Sequence, residues 1–497
     1  MLRVPVLLMV PLLLSYSSIW MKSFPKNSEA EKVCWLKACG RWIVDEDGNA
    51  VLLRGANYMG MEFGWFYHSE EDFIRMKNWG FNVVRLPIAW NYIEPKEGFY
   101  DDTYLATVDK VVSWCRKHGL YVILDMHQWN WAPRFGGNGL PDWAVKQYSS
   151  QDQAKIGFFK NETLQDRFFK MWRYVASRYG DNPIVFAYDI FNEPNVNYGL
   201  MSEASFLGVL QAFYQRAIDY IREVDRKHCV MVEPPWGGGI KQWHRINDDN
   251  LVLSTHLYTG GTWDGKTGYN GDSSRLEADF LVSYNLSLTW NVPLFIGEFG
   301  VGSAAARAHE WVRDFMNIFD KYMVGSCWWS YWRDDDSMGL LTTRSKEKEN
   351  LLSALVRIYP YKFKHVPTRF SYDIYTKHAC AEWLLNENNI AAIFKIPSKL
   401  DCNFSVSFNF NSAFFFFDDN ASELKAMLQG PRGGYLEIFA QKQMEEKGIE
   451  EYLKSITRNL YFQVSLAVNI LLLLAVVMLR RKYFRKSSGD ATLKKTG

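Results

Sequence analysis

The sequence lacks a charge imbalance that would draw it to a polyanion. Its 57 Lys and Arg residues stand against 55 Asp and Glu residues, which leaves a net charge of +2 over 497 residues. Domains that bind nucleic acids carry a clustered excess of positive charge, because contacts with phosphates supply most of their affinity. We therefore expect no nucleic-acid partner.

Cysteine is also scarce, with seven in the chain, and no spacing among them resembles a zinc site. We expect no metal and no cofactor. Cys34 with Cys39, and Cys380 with Cys402, could close local disulfides, and this pairing stays open. An odd count leaves at least one thiol free. The other three fall in predicted helices or strands and are expected to be buried thiols: Cys115, Cys229 and Cys327.

Two hydrophobic runs flank the body of the chain. The first, Val4–Leu14, is too short to span a bilayer and predicts a secretory signal peptide over residues 1–20. The second predicts a single transmembrane helix over residues 459–479, preceded by a charged stalk over 441–458. The basic tail at 480–497 predicts a cytoplasmic C-terminus, and it argues against a glycolipid-anchor signal, which would end in the hydrophobic stretch. The sequence thus predicts a single-pass type I membrane protein with an extracellular or lumenal body.

Potential glycosylation sites agree with this orientation. Four Asn-X-Ser/Thr sequences begin at Asn161, Asn285, Asn403 and Asn420, all on the predicted outer side. Aromatic residues make up 16% of the chain and include 20 Trp. Each Trp belongs either to the core or to a surface on which sugars stack, and composition does not decide between these.

One strand carries the clearest chemical signal. Ile184–Phe191 is an apolar run typical of a strand buried on both faces, and it ends in Asn192 and Glu193. The same pattern recurs where an apolar strand from Leu294 ends in Glu298 before a glycine turn. Two carboxyl groups at equivalent strand ends are what glycoside hydrolysis requires, one to protonate the leaving oxygen and one to attack or to activate water.

Strands and helices alternate through most of the chain, as in a (β/α)₈ barrel, which we place at residues 42–362. A small hairpin over Trp42–Val51 precedes the alternation and is expected to cap the bottom of the barrel. Eight strands are predicted: Val51–Tyr58, Asn82–Pro87, Tyr121–His127, Ile184–Phe191, Cys229–Glu233, Leu251–His256, Leu294–Glu298 and Gly325–Tyr331.

The C-terminal ends of barrel strands are where barrel enzymes place their catalytic groups. For any one residue there, a structural role is the commoner explanation. Titratable, amide or indole groups nevertheless stand at nearly every predicted strand end: Arg85, His127, Asn192, Glu193, Glu233, His256, Tyr258, Glu298, Trp328 and Trp329.

These motifs resemble glycoside hydrolase family 5, the cellulase-type retaining glycosidases, over residues 42 to 345. The segments that carry the resemblance are Arg85–Pro87, Asp125–His127, Phe191–Pro194, His256–Tyr258, Gly297–Gly300 and Trp328–Trp332. The resemblance implies that Glu193 is the acid/base and Glu298 the nucleophile.

The resemblance also implies roles around that pair. Asn192 would bind the sugar 2-hydroxyl, and Tyr258 would donate a hydrogen bond to the nucleophile. Arg85, His127 and His256 would order the two carboxyl groups. A Trp of the last strand would floor the subsite at the cleavage point; Trp329 is preferred, with Trp328 and Trp332 as alternatives.

A narrower resemblance is to the endoglycoceramidase branch of this family. It rests on Trp90–Leu105, Leu124–Gln128, the loop 137–143, and the segments Arg357–Tyr361 and Val366–Asp373. In that branch a small β-sandwich follows the barrel, and strand-like alternation within 366–440 fits such a domain here.

The resulting hypothesis is a membrane-anchored retaining endo-β-glycosidase that cleaves glycan from ceramide in glycosphingolipids. The alternatives are an endo-β-glucanase or mannanase acting on polysaccharide, and a catalytically inactive glycan-binding receptor. Retention predicts that the two carboxyl groups lie roughly 5 to 5.5 Å apart. We also expect the apolar strand and Glu298 to raise the pKa of Glu193, and Glu298 to stay ionised.

Overall fold

The computed structural model describes residues 17–20, 33–236, 240, 243–260, 267–383, 389–408, 410, 412–418, 422–429 and 434–442. Its strands in chain order are β1 (Ser17–Trp20), β2 (Lys37–Cys39), β3 (Trp42–Val44), β4 (Ala50–Val51), β5 (Arg54–Asn57), β6 (Val83–Ile88), β7 (Tyr121–Met126), β8 (Val185–Asp189), β9 (Cys229–Val232), β10 (Leu251–Leu257), β11 (Leu294–Phe299), β12 (Gly325–Trp328), β13 (Tyr359–Phe363), β14 (Arg369–Asp373), β15 (His378–Trp383), β16 (Asn389–Lys395), β17 (Cys402–Phe408), β18 (Ser412–Asp418), β19 (Glu423–Gln429) and β20 (Gly434–Lys442).

The α-helices are α1 (Glu70–Asn78), α2 (Trp90–Ile93), α3 (Asp102–His118), α4 (Asp142–Val145), α5 (Gln151–Lys160), α6 (Glu162–Tyr179), α7 (Glu203–Arg222), α8 (Ser273–Trp290), α9 (Ala308–Tyr322) and α10 (Glu349–Leu355). Short 3₁₀ turns form at Met61–Phe63, Pro133–Phe135 and Ser398–Leu400.

Strands β5 to β12 close into one parallel barrel in chain order, and β12 pairs back onto β5. All eight strands predicted from the sequence are present, and the (β/α)₈ prediction is confirmed. Every residue of these strands is buried, since helices cover the outer face and side chains fill the interior. Their shared direction brings all eight C-terminal ends to one mouth.

Local sequence signals set the helix ends. Ser69 caps α1 and forms a capping box with Asp72. Asp101 caps α3 by accepting from the backbone N–H groups of Thr103 and Tyr104. The same helix ends at Gly119, whose φ of 70° lies in the left-handed region that glycine adopts without strain. These bonds fix where each helix starts and stops around the barrel.

Much of the aromatic content serves the core. Phe158, Phe159, Phe168 and Phe213, from the helices outside β8, surround the ring of Phe191 with centroid distances of 5.5 to 5.8 Å. This packing holds the backbone immediately before Glu193. Among the described residues, six Trp side chains are at most 1% exposed: Trp79, Trp90, Trp172, Trp311, Trp328 and Trp383.

Other Trp side chains reach the surface at the barrel mouth. Trp65, Trp129 and Trp236 are 39%, 54% and 40% exposed, and they follow β5, β7 and β9. Some Trp side chains therefore belong to the core, and others lie at the surface of the barrel mouth.

Two antiparallel sheets accompany the barrel. One has the order β1-β17-β20-β15-β14, and the other has the order β18-β19-β16-β13-β4-β3-β2. Rings contact each other from one sheet to the other, with centroids 4.7 Å apart for Phe404 and Phe417 and 5.4 Å apart for Phe408 and Phe415.

The seven-stranded sheet crosses the boundaries expected from the sequence. It takes its strands from both sides of the barrel, because β4 of the predicted hairpin pairs with β13, with Val51 opposite Lys362. Strand β2, which precedes the predicted hairpin, joins the same sheet by pairing with β3. Strand β13 pairs with β4 because the short hairpin leaves one edge of β4 without backbone hydrogen-bond partners.

Several predicted segments lie outside the described residues. These are residues 1–16 of the predicted signal peptide, nearly all of the stalk, the transmembrane segment 459–479 and the tail 480–497. Residues 17–20, the end of the predicted signal, form β1 and pair with β17. Among the described residues, no helix has both the length and the apolar character needed to cross a membrane.

The cysteine predictions are partly resolved. Cys115, Cys229 and Cys327 are buried free thiols, as expected. Cys39 is an exposed free thiol, so the disulfide with Cys34 is not formed. The side chain of Cys402 lies outside the described residues.

Candidate active site

Arg85 is the centre of a polar cluster at the barrel mouth. It lies in β6, and its guanidinium group is completely buried. It donates hydrogen bonds to Asn57 Oδ1 (3.0 Å), Asp189 Oδ2 (3.0 Å), Asn192 Oδ1 (2.9 Å), Glu233 Oε1 (3.0 Å) and Glu298 Oε1 (2.8 Å). Asp125 Oδ1 is 3.0 Å from the same group. One side chain thus links β6 to five other strands of the barrel.

Four carboxyl groups surround the single guanidinium group of Arg85. Burial opposes the charge on Arg85, but the four carboxyl groups around it together raise its pKa well above the usual range. Burial and the charge of Glu233 raise the pKa of Asp189 well above its ordinary value. Burial also disfavours the charge on Glu233, but His256 and Arg85 lower its pKa to about 2. Asp189 therefore takes up a proton at a higher pH than Glu233.

Glu298, at the end of β11, is contacted by three side chains in or directly after two other strands, β6 and β10. Arg85 Nη1 donates to Oε1 at 2.8 Å, and the hydroxyl of Tyr258 donates to Oε2 at 2.8 Å. His256 Nδ1 lies 3.4 Å from the same Oε2. Burial raises the pKa of Glu298 and Glu193 raises it further, while His256 and Arg85 lower it; the net direction is upward. Burial and Glu298 raise the pKa of Tyr258, which keeps this phenol a donor.

Glu193 follows β8 and is the more accessible of the two carboxylates. Its side chain is 24% exposed, against 5% for Glu298. Its backbone has φ of +43°, in the left-handed region that is uncommon outside glycine. His256 Nδ1 lies 2.8 Å from Glu193 Oε1. One carboxylate oxygen of Glu193, one of Glu298 and a nitrogen of His256 lie within 4.8 Å of one another.

His127 and Trp329 form one wall of the site. His127 Nδ1 lies 2.8 Å from Asp125 Oδ2, and its ring stacks on Trp329 with centroids 5.2 Å apart and planes 9° apart. Burial lowers the pKa of His127, but Asp125 outweighs it and raises the pKa overall.

The structure separates the three Trp candidates of the last strand. Trp328 is fully buried and donates to the carbonyl of Met338. Trp332 is half-buried and stacks on Trp65 with centroids 5.4 Å apart. Trp329 is half-buried and is the one that contacts the polar cluster, through His127.

Asn192 is fixed by its neighbours. Its Oδ1 accepts from Arg85, and its backbone N–H donates to the carbonyl of Met126 at 3.1 Å. Gln128 Nε2 donates to its carbonyl oxygen. With Oδ1 engaged, the side-chain amide has its N–H groups left to donate.

The structure brings all eight predicted site residues together, and it adds Asn57 and Asp189, as well as Asp125 and Glu233, which the sequence placed in a motif and at a strand end without assigning them a role. Each is a polar side chain inside or directly after an otherwise apolar barrel strand. That interruption of an apolar run is the signal that would have found them, since a buried polar group requires a partner.

The trio Glu193, His256 and Glu298 is also where the described residues could hold a metal ion. The donor set does not fit one. Burial disfavours charge on His256, but Glu233 and Glu298 raise its pKa well above the usual range, so the ring is an imidazolium. A protonated imidazole has no lone pair to offer a metal.

A cavity of about 550 Å³ opens beside the cluster, between the loop after β9, strand β10 and helix α8. Glu233, His256 and Tyr258 form its inner wall, and its outer lining mixes apolar and polar groups: Pro234, Pro235, Trp236, Ile240, Leu257, Val282, Arg275 and Asp279. Across the mouth, Phe63 stacks on Trp65 with centroids 4.6 Å apart, and Trp65 in turn stacks on Trp332.

Comparison with known proteins places this geometry in a family. Residues 44–335 match the family model described as cellulase (glycosyl hydrolase family 5). The chain is 25% identical to Cellodextrinase A from Ruminococcus flavefaciens over 277 residues, which cover 51% of this chain and 76% of that protein. It is 25% identical to Endoglycoceramidase I from Rhodococcus hoagii over 394 residues, covering 69% of this chain and 76% of that protein.

Solved structures agree on the fold. Endo-glycoceramidase II from Rhodococcus sp., in its Ganglioside GM3 complex, superposes with a TM-score of 0.66 at 24% identity, covering 80% of this chain and 99% of that chain. Its lactosyl-enzyme intermediate superposes with a TM-score of 0.65 at 23% identity and the same coverage. The family model spans more than half of the sequence, so this chain belongs to glycosyl hydrolase family 5 and is an O-glycosyl hydrolase.

Proposed function

We propose that this protein is a retaining endo-β-glycosidase that hydrolyses the bond between glycan and ceramide in glycosphingolipids. The observation that carries the retaining mechanism is the closeness of Glu193 and Glu298, which have oxygens within 4.8 Å of each other. Inverting enzymes keep their carboxyl groups roughly 6.5 to 9.5 Å apart to admit a water between them. The short distance instead favours direct attack by one carboxylate.

In the proposed mechanism, Glu298 attacks the anomeric carbon while Glu193 protonates the leaving oxygen. A glycosyl ester forms on Glu298, and Glu193 then deprotonates the water that hydrolyses it. The assignment follows the surroundings. Glu298 receives donors from Arg85 and Tyr258, which suits a carboxylate, whereas the more exposed Glu193 can reach both the leaving group and the incoming water.

The neighbouring side chains then bind and orient the sugar. Asn192 donates to the 2-hydroxyl, because Arg85 already occupies its oxygen. His127 is available to the sugar hydroxyls beside Trp329, whose ring floors the subsite at the cleavage point.

The cavity beside the cluster supports a lipid-linked leaving group. It is lined by His256 and Glu233, which both contact the acid Glu193, and on this ground we place the leaving group there. Its lining combines apolar side chains with Arg275 and Asp279. Such a lining fits a leaving group with hydrocarbon chains and a polar amide and hydroxyl headgroup. The endoglycoceramidases among the relatives carry this substrate class in their names.

We further propose that the two antiparallel sheets form the small β-sandwich expected after the barrel, and that a single-pass helix at 459–479 tethers the enzyme with its barrel outside the cytoplasm. The tethering argument is one of effective concentration. A barrel held near a bilayer meets glycolipid headgroups at high local concentration, whereas an enzyme for soluble polysaccharide gains little from an anchor.

Hydrolysis of polysaccharide is the second candidate, and one observation favours it. Aromatic rings stand on opposite sides of the mouth, since Trp65 follows β5 and Trp236 follows β9, four strands away around the barrel. Clefts that bind polysaccharide carry aromatic platforms on both sides of the cleavage point.

The deciding experiment incubates the purified protein in mixed detergent micelles with a panel of gangliosides and neutral glycosphingolipids, beside β-glucan and mannan. We expect release of ceramide and of intact glycan, with no reducing ends formed from the polysaccharides. Cleavage of β-glucan or mannan with no release of ceramide would replace the first candidate by the second.

A matched pair of variants sharpens this test. Trp236→Ala alters the cavity, while Trp129→Ala changes another exposed Trp elsewhere on the mouth. We expect Trp236→Ala to lower kcat/KM for the glycolipid about tenfold or more, with a smaller change for a soluble aryl β-glycoside. Equal losses on both substrates would show that the cavity does not bind the lipid portion.

A further inference from the structure

The backbone of the acid/base residue is held in an unfavourable conformation. Glu193 has φ of +43°, a region that residues other than glycine rarely adopt because their side chain clashes with the backbone. Two side chains hold it there. The backbone N–H of Glu193 donates to Glu233 Oε2 at 2.8 Å, and its carbonyl accepts from Asn195 Nδ2 at 2.7 Å. The direction of the Glu193 side chain therefore depends on these bonds.

Glu233 is itself rigidly placed. It directly follows β9, it is 2% exposed, and its backbone N–H and carbonyl both bond the hydroxyl of Tyr214 at 3.1 Å. Its second carboxylate oxygen, Oε1, accepts from Arg85 Nη2 at 3.0 Å. Glu233 therefore anchors the loop after β8 to the end of the neighbouring strand β9.

A second connection runs through His256. Its Nδ1 faces Glu193 Oε1 at 2.8 Å, and its Nε2 lies 3.2 Å from Glu233 Oε1. The imidazolium therefore lies between the two carboxylates and touches both. Glu233 supports Glu193 twice, at the backbone through a hydrogen bond and at the carboxylate through the ring of His256.

We propose that Glu233 is a positioning residue for the acid/base Glu193, holding its strained backbone and, through His256, its carboxylate in the geometry for proton transfer. This inference rests on the proposed mechanism, in which Glu193 is the acid/base. Glu233 transfers no proton and forms no bond to the sugar in that mechanism, although it lies at the inner wall of the cavity. Substitution of Glu233 should therefore have the kinetic effects of a weaker acid/base at Glu193, not those of a weaker nucleophile.

The test is Glu233→Gln in the full chain, assayed on aryl β-glycosides whose leaving groups span a wide range of pKa. In one orientation of the Gln amide, its NH₂ group replaces Oε2 and cannot accept from the backbone N–H of Glu193. In the other orientation, the NH₂ group replaces Oε1 and loses the contact with His256. One of the two supports is therefore lost in either orientation. We expect kcat/KM to fall about 10- to 100-fold for poor leaving groups, which need protonation, and about threefold or less for a dinitrophenyl glycoside, which does not. An equal fall across the series would overturn the proposal.

A double-mutant cycle provides the second readout. If Glu233 acts through Glu193, then Glu233→Gln should change kcat/KM by less than about threefold in a Glu193→Ala background. A further loss as large as in the wild-type background would show that Glu233 acts through Glu298 or Arg85 instead. Glu233→Asp, which keeps the charge but shortens the side chain, should show the same dependence on leaving group and serves if Glu233→Gln does not fold.

Asp225→Asn is the matched control. Asp225 is also 2% exposed and pairs with a histidine, His228, but at the opposite end of the same strand β9. It should lower the melting temperature without altering the dependence on leaving group. A wild type that hydrolyses no aryl glycoside would overturn the proposed mechanism together with this inference, whereas an active wild type with a flat Glu233→Gln series would overturn the positioning role alone.

Discussion

The two ends of strand β9 carry similar pairs of residues with different surroundings. Before the strand, His228 Nδ1 contacts Asp225 Oδ2 at 2.5 Å, and its other nitrogen faces the carbonyl of Asn182 at 3.1 Å. After the strand, His256 on the neighbouring β10 contacts Glu233, and its other nitrogen faces Glu193 and Glu298. His228 thus bridges one carboxylate and a backbone carbonyl in a turn, whereas His256 lies among three carboxylates and lowers the pKa of two of them, Glu233 and Glu298.

The buried arginines show the same contrast. At the mouth, Arg85 faces four carboxyl groups, and despite burial these raise its pKa. At the opposite end, Arg54 and Arg357 share one partner, Asp320, at 2.6 and 2.5 Å. Burial lowers the pKa of Arg357, and the neighbouring Arg54 lowers it further against the pull of Asp320.

Access to solvent decides what these clusters can do. The Arg54, Asp320 and Arg357 side chains are at most 3% exposed, so no substrate reaches them. At the mouth, Glu193 remains 24% exposed beside its buried partners. Buried charge therefore holds the structure together at one end and prepares a reachable carboxyl group for chemistry at the other.

The largest effect is expected for Glu298→Ala at the mouth. Loss of the nucleophile removes the covalent step, and kcat should fall roughly 10⁴-fold or more. Azide added to this variant could yield only the α-glycosyl azide from a β-linked substrate, which NMR of the product identifies. A β-glycosyl azide formed by this variant would reverse the roles of the two carboxylates. The melting temperature should match the wild type.

Glu193→Ala should have the next largest effect, about 10²- to 10⁴-fold on substrates with poor leaving groups. Dinitrophenyl glycosides should still form the glycosyl-enzyme, whose breakdown is then slow, so a burst precedes steady turnover. Azide should enter the vacated space and restore turnover as the β-glycosyl azide. Burst kinetics and product NMR test this; loss of the burst despite a wild-type melting temperature would contradict it.

Asp320→Asn tests the structural end of the barrel. The substitution leaves Arg54 and Arg357 buried without a countercharge, which should lower the free energy of unfolding by about 3 to 5 kcal/mol. Chemical denaturation measures the loss, and the kcat of the folded fraction, counted by active-site titration, should stay within about twofold. A large fall in kcat for folded enzyme would show that the two ends are coupled.

The smallest effect is expected at Glu62, a fully buried carboxyl near the mouth. Burial raises its pKa to about 7, with His127 opposing. A carboxyl whose pKa is raised by folding binds its proton more tightly in the folded state, so stability falls as pH rises from about 4.5 to 7. The full cost is on the order of 3 kcal/mol. Glu62→Gln should remove it.

We therefore expect Glu62→Gln to raise the melting temperature at pH 8 and to leave it nearly unchanged at pH 4.5. Differential scanning calorimetry of both proteins at the two pH values measures this. Destabilisation at pH 8 would show that the ionised carboxylate has a partner that the amide cannot replace. Glu71→Gln, at an exposed position of α1, is the control and should have no effect at either pH.

The sequence alone determined the barrel, because eight apolar runs of strand length alternate with helices, and periodicity is a local property. It also located Glu193 and Glu298, since a charged residue that ends a buried strand is visible in the chain itself. Helix limits followed from Ser69, Asp101 and Gly119, which act on backbone groups a few residues away.

Tertiary structure decided which distant residues meet. The sequence did not predict that Glu233 Oε2 accepts the backbone N–H of Glu193, because that bond depends on the left-handed turn at Glu193 and on the register of β8 beside β9. It did not separate Trp328 from Trp329, because adjacent residues point to opposite faces and only the barrel defines which face is core. It also missed the pairing of β4 with β13, since strands more than 300 residues apart pair through unpaired edges that no local pattern records.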